Sequence, residues 1–152
     1  MIIIIVNINN KKENGEINIK EDNINPIFPT KDFSLTGKER PNYASSDCAA
    51  ILLKSNKEAK YANSILNEKK DSYMINECSA KNKFVIIELC NDILIDAIVI
   101  GNFELFSSTT KLFKVSVANK FNYHNNKWTT LSYFQAANLR DLQVNNKYKY
   151  FK

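Results

Sequence analysis

The chain has 152 residues, 44% of them hydrophobic and 24% charged. That is the size and mix of one globular domain with a single substantial core, and it excludes whole-chain disorder, a fibrous architecture and a second domain of ordinary size. Three glycines, Gly15, Gly37 and Gly101, stand against 22 asparagines and 18 isoleucines. They are too few and too scattered for a GxGxxG turn or a P-loop, so Rossmann and Walker-type nucleotide chemistry is excluded. The net charge of +5 is concentrated late, with eight basic side chains and one acidic side chain in residues 111 to 152. Lys111, Lys114, Lys120, Lys127, Lys147 and Lys149 are spread singly along strand-like runs. That is the pattern of solvent-facing strand guards, and no nucleic-acid partner is expected.

In chain order, residues 1 to 39 alternate Asn, Lys, Glu and Ile without a sustained period and end among Pro26, Pro29 and Gly37. They read as a disordered, low-complexity lead-in, and the domain is expected over 40 to 152. The opening Met1 to Val6 run lacks the basic flank and small-residue cleavage site of a signal peptide, and reads as a fragment of strand or an ill-defined end. No apolar run reaches the 18 or so residues of a membrane-spanning helix. From Pro41 onward the apolar residues gather into short runs: Cys48 to Leu53, Phe84 to Cys90, Ile93 to Phe103, Leu112 to Ala118, Trp128 to Phe134 and Tyr148 to Phe151. Phe113, Val115 and Val117 alternate with Lys114 and Ser116, the period of a strand with one wet face. Phe84 to Ile87 and Ala97 to Ile100 are continuous and β-branched, which places them deep in a sheet. Only Ser55 to Leu66 looks weakly helical. Short strands separated by polar turns predict an all-β antiparallel sandwich.

The residues that carry reaction chemistry are sparse. His124 is the single histidine and sits in a polar turn between strand-like runs, without an acidic neighbour in sequence, so a solvated turn residue is expected. Glu88 and Asp96 fall within strand-like runs, where two acids on adjacent strands are the arrangement a glycosidase needs; sheet-edge carboxylates are the commoner outcome. Trp128, near Tyr123 and Tyr133, offers a carbohydrate-stacking surface, against the simpler role of a core or edge tryptophan. No catalytic residue and no metal site is expected, and CxxC spacing is absent.

The order of local signatures is more specific than any period. Arg40, Asn42-Tyr43-Ala44-Ser45, Asp47-Cys48-Ala49-Ala50, Lys70-Asp71-Ser72-Tyr73-Met74, Asn76-Glu77-Cys78-Ser79, Phe84 with Ile87-Glu88-Leu89-Cys90, Asn102-Phe103-Glu104 and Phe113 to Val117 followed by Trp128 resemble the SUN domain, most closely its osteopotentia-type (mid-SUN) branch. The resemblance covers about residues 38 to 152. It implies a jelly-roll β-sandwich similar to galactose-binding and discoidin-like modules, acting as a lumenal interaction domain of the endoplasmic reticulum or nuclear envelope. Proteins of this kind are associated with folding or protection of clients, or with nuclear-envelope anchoring through KASH peptides. Membrane association is then expected from segments outside this chain, and a client or KASH-like peptide is the expected partner.

The resemblance further implies that the loop before Cys78, Leu66 to Asn76, holds a monovalent cation through backbone carbonyls; the alternative is an ordinary Asx-stabilised turn. No other cofactor is expected. Cys78 in similar domains pairs with a cysteine near the domain's end, and this chain reads as stopping inside a strand before that point. Cys48 and Cys90 are left either to bridge each other or to serve as small buried apolar residues. The expected partner surface is Lys70, Asp71, Ser72, Tyr73 and Asn76, with the neighbouring segment Asn56 to Leu66.

Overall fold

A computed structural model of the chain describes residues 3–9, 24–29, 41–103, 109–122 and 127–145. Among these residues the regular structure is strand, with two short 3-10 turns at Ser46–Cys48 and Ala62–Leu66 and no α-helix. The strands are β1 (Ile3–Asn9), β2 (Ile24–Pro26), β3 (Phe28–Pro29), β4 (Ile51–Ser55), β5 (Ala59–Lys60), β6 (Ile75–Asn76), β7 (Lys83–Glu88), β8 (Ile98–Gly101), β9 (Leu112–Ala118), β10 (Thr129–Gln135) and β11 (Leu142–Asn145). Six of them form one sheet in the order β2-β10-β9-β1-β7-β4; β3-β11-β8 form a second, and β5-β6 a small ribbon.

The two larger sheets face each other across an apolar layer. Phe113, Val115, Phe134, Ala136 and Ile27 are buried together, and Ile98, Ile100 and Leu131 pack against them. β9 supplies this layer because its alternate residues point one way: Phe113 and Val115 are each 1% exposed. A second buried cluster, Ala50, Leu66, Val85, Ile87 and Leu89, lies toward β7 and β4, and Tyr43, Ile65 and Met74 close over it. The chain is thus a two-layer β-sandwich, as its alternating runs predict, but not a wholly antiparallel one, since β2 runs parallel to β10.

Three further expectations change. Residues 1 to 39, expected as a lead-in with no more than a fragment of strand at Met1 to Val6, contribute β1, β2 and β3, and β1 runs between β7 and β9, paired antiparallel to both from Ile3 to Ile8. A β-branched run flanked on both sides needs no alternation, and its partners are more than 70 residues away in sequence, so nothing local marks its central place in the sheet. β8 is a sheet edge among the described strands, and Ile98, Val99 and Ile100 are half-buried rather than deep. The weakly helical Ser55 to Leu66 resolves into the end of β4, a turn, β5 and the 3-10 turn Ala62–Leu66. His124, Tyr123 and Tyr148 to Phe151 lie outside the described residues, as do Arg40 and Glu104.

Polar side chains that repeat backbone geometry hold the turns. Gln143, 0% exposed, accepts from the Ala137 amide at 2.8 Å and donates to the carbonyls of Ala137 at 3.0 Å and Leu139 at 3.4 Å. Asn102, also buried, clasps Thr110 through both its carboxamide atoms, each at 3.2 Å. Buried amides satisfied in this way fix a single loop path, since leaving them unpaired would cost about 1–3 kcal/mol apiece.

Candidate functional site

The Asn42-Tyr43-Ala44-Ser45 motif is a pair of turns in one stretch. Asn42 Oδ1 accepts from the Ala44 amide at 3.0 Å, and Ser45 Oγ accepts from the Asp47 amide at 3.2 Å, capping the 3-10 turn Ser46–Cys48. The Cys90 amide donates to the Tyr43 carbonyl at 3.2 Å. With the two backbones so held, Cys48 and Cys90 are 5.7 Å apart at Cα and joined as a disulfide. Cys78 is exposed and free of any disulfide in this structure.

Asn42 reaches further: its Nδ2 donates to Glu68 Oε1 at 2.9 Å, tying the motif to the loop that follows Leu66. That loop runs through Lys69, whose amide donates to Asn67 Oδ1 at 3.0 Å and whose carbonyl accepts from Ser72 at 3.3 Å. Lys70 and Asp71 at its crest are exposed, while Ser72 and Tyr73 are half-buried. The Lys70 ammonium stands 5.4 Å from the centre of the Phe103 ring, a cation–π distance. Phe103 in turn lies against Gly101, where an added Cβ would come within 2.5 Å of the ring. The glycine at the end of β8 therefore sets the ring that receives Lys70.

Asn56 rivets the other side of the loop. Its backbone amide donates to the Phe84 carbonyl at 3.2 Å, its Oδ1 accepts from the Phe84 amide at 3.2 Å, and its Nδ2 donates to Asn76 Oδ1 at 2.6 Å and Glu58 Oε2 at 3.0 Å. β5 and β6 complete the joint, with Ala59 opposite Asn76 and Lys60 opposite Ile75. Asn56 holds the Glu58 carboxyl below its usual range, with further help from the Glu58 backbone amide and a small contribution from Lys57. Because that pKa is depressed on folding, the stabilisation is present above the unfolded-state value and is lost as pH falls through the folded-state value. Asn56→Ala is expected to destabilise the fold by about 1–3 kcal/mol by leaving the Phe84 amide unpaired. It should also let the Glu58 carboxyl titrate back up toward its ordinary range. Urea unfolding and a carboxyl-resolved NMR titration check the two effects.

The structure thus brings Asn76 and the segment Asn56 to Leu66 together, and sets Lys70 and Asp71 on the adjoining crest. Asn76 faces inward: its Nδ2 is buried and has no hydrogen-bond partner among the described residues. Sequence reasoning includes Asn56 and Tyr61 only as members of the neighbouring segment, without a role of their own, and misses Glu68 and Phe103 as parts of the site. For Glu68 the available signal was the Asx-turn motif at Asn42; the ties of Asn56 to Asn76 and Phe84, and of Phe103 to Lys70, are long-range and leave no local trace. Among the described residues no group of three or more His, Cys, Asp and Glu gathers to hold a metal. A cation in Leu66 to Asn76 would therefore rest on backbone carbonyls, one of which, Lys69's, is already engaged.

The alternative acid pair is not assembled. Glu88 ends β7 in the large sheet, whereas Asp96 is exposed in the non-strand segment before β8 of the other sheet, so the two acids are not on adjacent strands. Trp128 is half-buried just before β10. The open cleft of about 790 Å³ at that end is lined by Lys120, Phe121, Lys127 and Thr129 among others, and Trp128 is not part of the lining.

Comparison with known proteins gives a family match to the Sad1/UNC-like C-terminal domain over residues 55–149. The chain is 48% identical to SLP1 of Saccharomyces cerevisiae over 134 residues, 88% of this chain and 22% of that protein. It is 47% identical to slp1 of Schizosaccharomyces pombe over 131 residues, 86% of this chain and 20% of that protein. With the human SUN domain-containing ossification factor it shares 47% identity over 106 residues, 70% of this chain and 8% of the relative. The chain therefore spans about a fifth of the length of its yeast relatives, and the likeness to them necessarily reaches into residues before 40. No solved structure matches the chain. The β-sandwich, the ordered motifs and these matches together make the chain a member of the Sad1/UNC-like SUN domain family.

Proposed function

We propose that this SUN-type domain is a non-enzymatic protein-interaction module of the endoplasmic reticulum or nuclear-envelope lumen. It serves folding or protection of lumenal and membrane clients, or anchoring at the nuclear envelope through a KASH-like peptide. Membrane attachment is supplied by segments outside the chain; among the described residues no helix is long and apolar enough to cross a membrane. The observation that carries the reading is the riveted rim. Asn42 and Asn56 use their carboxamides to hold the backbone at Ala44 and Phe84 and the side chains of Glu68, Glu58 and Asn76, while Lys70 and Asp71 project from the loop, exposed. A preorganised loop with exposed polar groups, and with Glu88 and Asp96 apart, is suited to capture. The Cys48–Cys90 bridge supports an oxidising compartment. A monovalent cation on the carbonyls of Leu66 to Asn76 would brace the same loop.

Asp71→Ala combined with Tyr73→Ala is expected to weaken capture of lumenal partners by the immobilised chain by about tenfold, the usual effect of losing a contact worth ~1.4 kcal/mol. The melting temperature of Asp71→Ala alone should be unchanged, since Asp71 is exposed. Undiminished capture by the double variant removes the site.

A further inference from the structure

Tyr61 stands at the turn between β5 and the 3-10 turn Ala62–Leu66 with φ 56° and ψ 36°, the left-handed region. A bulky side chain occupies that region only at a cost, and glycine or asparagine fills such positions freely. Burial does not compensate, because Tyr61 is 73% exposed. The fold gains little from this ring, which points to a use outside the fold.

The charges around it are unequally engaged. Glu58 accepts from Asn56 and lies 4.0 Å from the Lys57 ammonium, and Glu68 accepts from Asn42. Lys54, Lys60, Lys69 and Lys70 are exposed on the same elements. The Glu58 and Glu68 carboxylates are thus drawn toward the framework by carboxamide donors and the Lys70 ammonium lies over the Phe103 ring, while the ammonium groups of Lys54, Lys60 and Lys69 are left exposed.

We propose that the partner presents an acidic, extended polypeptide segment to this rim, with Tyr61 as the aromatic anchor and Lys60, Lys69 and Lys70 meeting its carboxylates. This rests on the interaction reading above and adds the chemistry of what is captured. Exposed aromatics on fixed backbone are the usual anchors of such contacts, and complementary charge supplies approach and register. A peptide suits the rim better than an anionic bilayer. Glu58, Glu68 and Asp71 share the rim and would face a continuous negative surface, whereas an extended segment sets its carboxylates residue by residue.

The test uses the full chain and labelled peptides of about 12 residues, long enough to cross such a rim: one glutamate-rich, one with glutamine in place of glutamate, and one lysine-rich. Vesicles containing phosphatidylserine form a further arm. The glutamate peptide is expected to bind about tenfold more tightly than the glutamine peptide, with the advantage shrinking as salt rises. Tyr61→Ala, and separately Lys60→Glu with Lys69→Glu, should each abolish that advantage. Tyr61→Gly should raise the melting temperature while losing binding, a combination that a merely structural tyrosine would not give. Equal binding of the glutamate and glutamine peptides overturns the inference, as does binding to the vesicles alone. If Asp71→Ala with Tyr73→Ala still impairs capture of a lumenal partner in those cases, the interaction reading stands without the acidic partner. If no peptide binds and that double variant captures normally, both fall.

Discussion

Cys48→Ala with Cys90→Ala, or reduction of the wild-type chain, is expected to destabilise the domain by about 4 kcal/mol, the chain-entropy value for closing a loop of this length. The bridge spans a sequence separation of 42 residues, and the loop it closes contains β4, β5, β6, β7 and the rim residues from Asn56 to Asn76. For a domain of this size that corresponds to a fall of roughly 8–16 °C in melting temperature. Calorimetry with and without reductant measures it. A shift below about 2 °C would mean that the Tyr43–Cys90 backbone bond and the buried cluster around Ala50 and Leu89 already fix this corner. Cys78→Ser is the internal control and should leave the melting temperature unchanged, since Cys78 is exposed and outside the bridge.

Phe134→Ala is expected to cost about 3–5 kcal/mol. Phe134 is 0% exposed and sits opposite Phe113 across the β9–β10 ladder, with ring centroids 5.2 Å apart and planes at 21°. These two rings are the largest fully buried side chains of the layer between the sheets, so truncating one leaves a cavity that a β-sheet backbone cannot collapse into. Phe134→Leu should recover part of the loss by refilling most of the volume. Urea denaturation monitored at Trp128, which precedes β10, gives both values. A cost under about 1 kcal/mol for the alanine variant would show that this layer is not the principal core.

How much of this was legible before any coordinates depended on whether a residue's partners are near in sequence. β7, β9 and β10 follow from β-branched runs and alternation, because burial imprints a period on a strand whatever it pairs with. β11 was not foreseen: its central Gln143 is fully buried, and a polar residue in a core reads as a loop unless its three bonds to the turn at Ala137 to Leu139 are known. β8 was placed too deep because four apolar residues say nothing about how many neighbours a strand has. At the rim, Lys70, Asp71, Ser72 and Tyr73 were recognisable from their motif. Asn56 enters only as the start of the neighbouring segment; its bonds to Asn76, 20 residues away, and to Phe84, 28 away, are not legible, since an asparagine in a chain with 22 of them carries no mark of its contacts. Tyr61 became conspicuous only through its backbone angle.

The position of β1 has a consequence for biosynthesis. β1 leaves the ribosome roughly a hundred residues ahead of β9, one of the two strands it must join, so at ordinary elongation rates it is exported unpaired for about 5–20 seconds. During that interval its isoleucine-rich stretch is an adhesive ribbon open to chaperones and to neighbouring nascent chains. Completion of the large sheet is thus a late, docking-like event in which β1 inserts between β7 and β9.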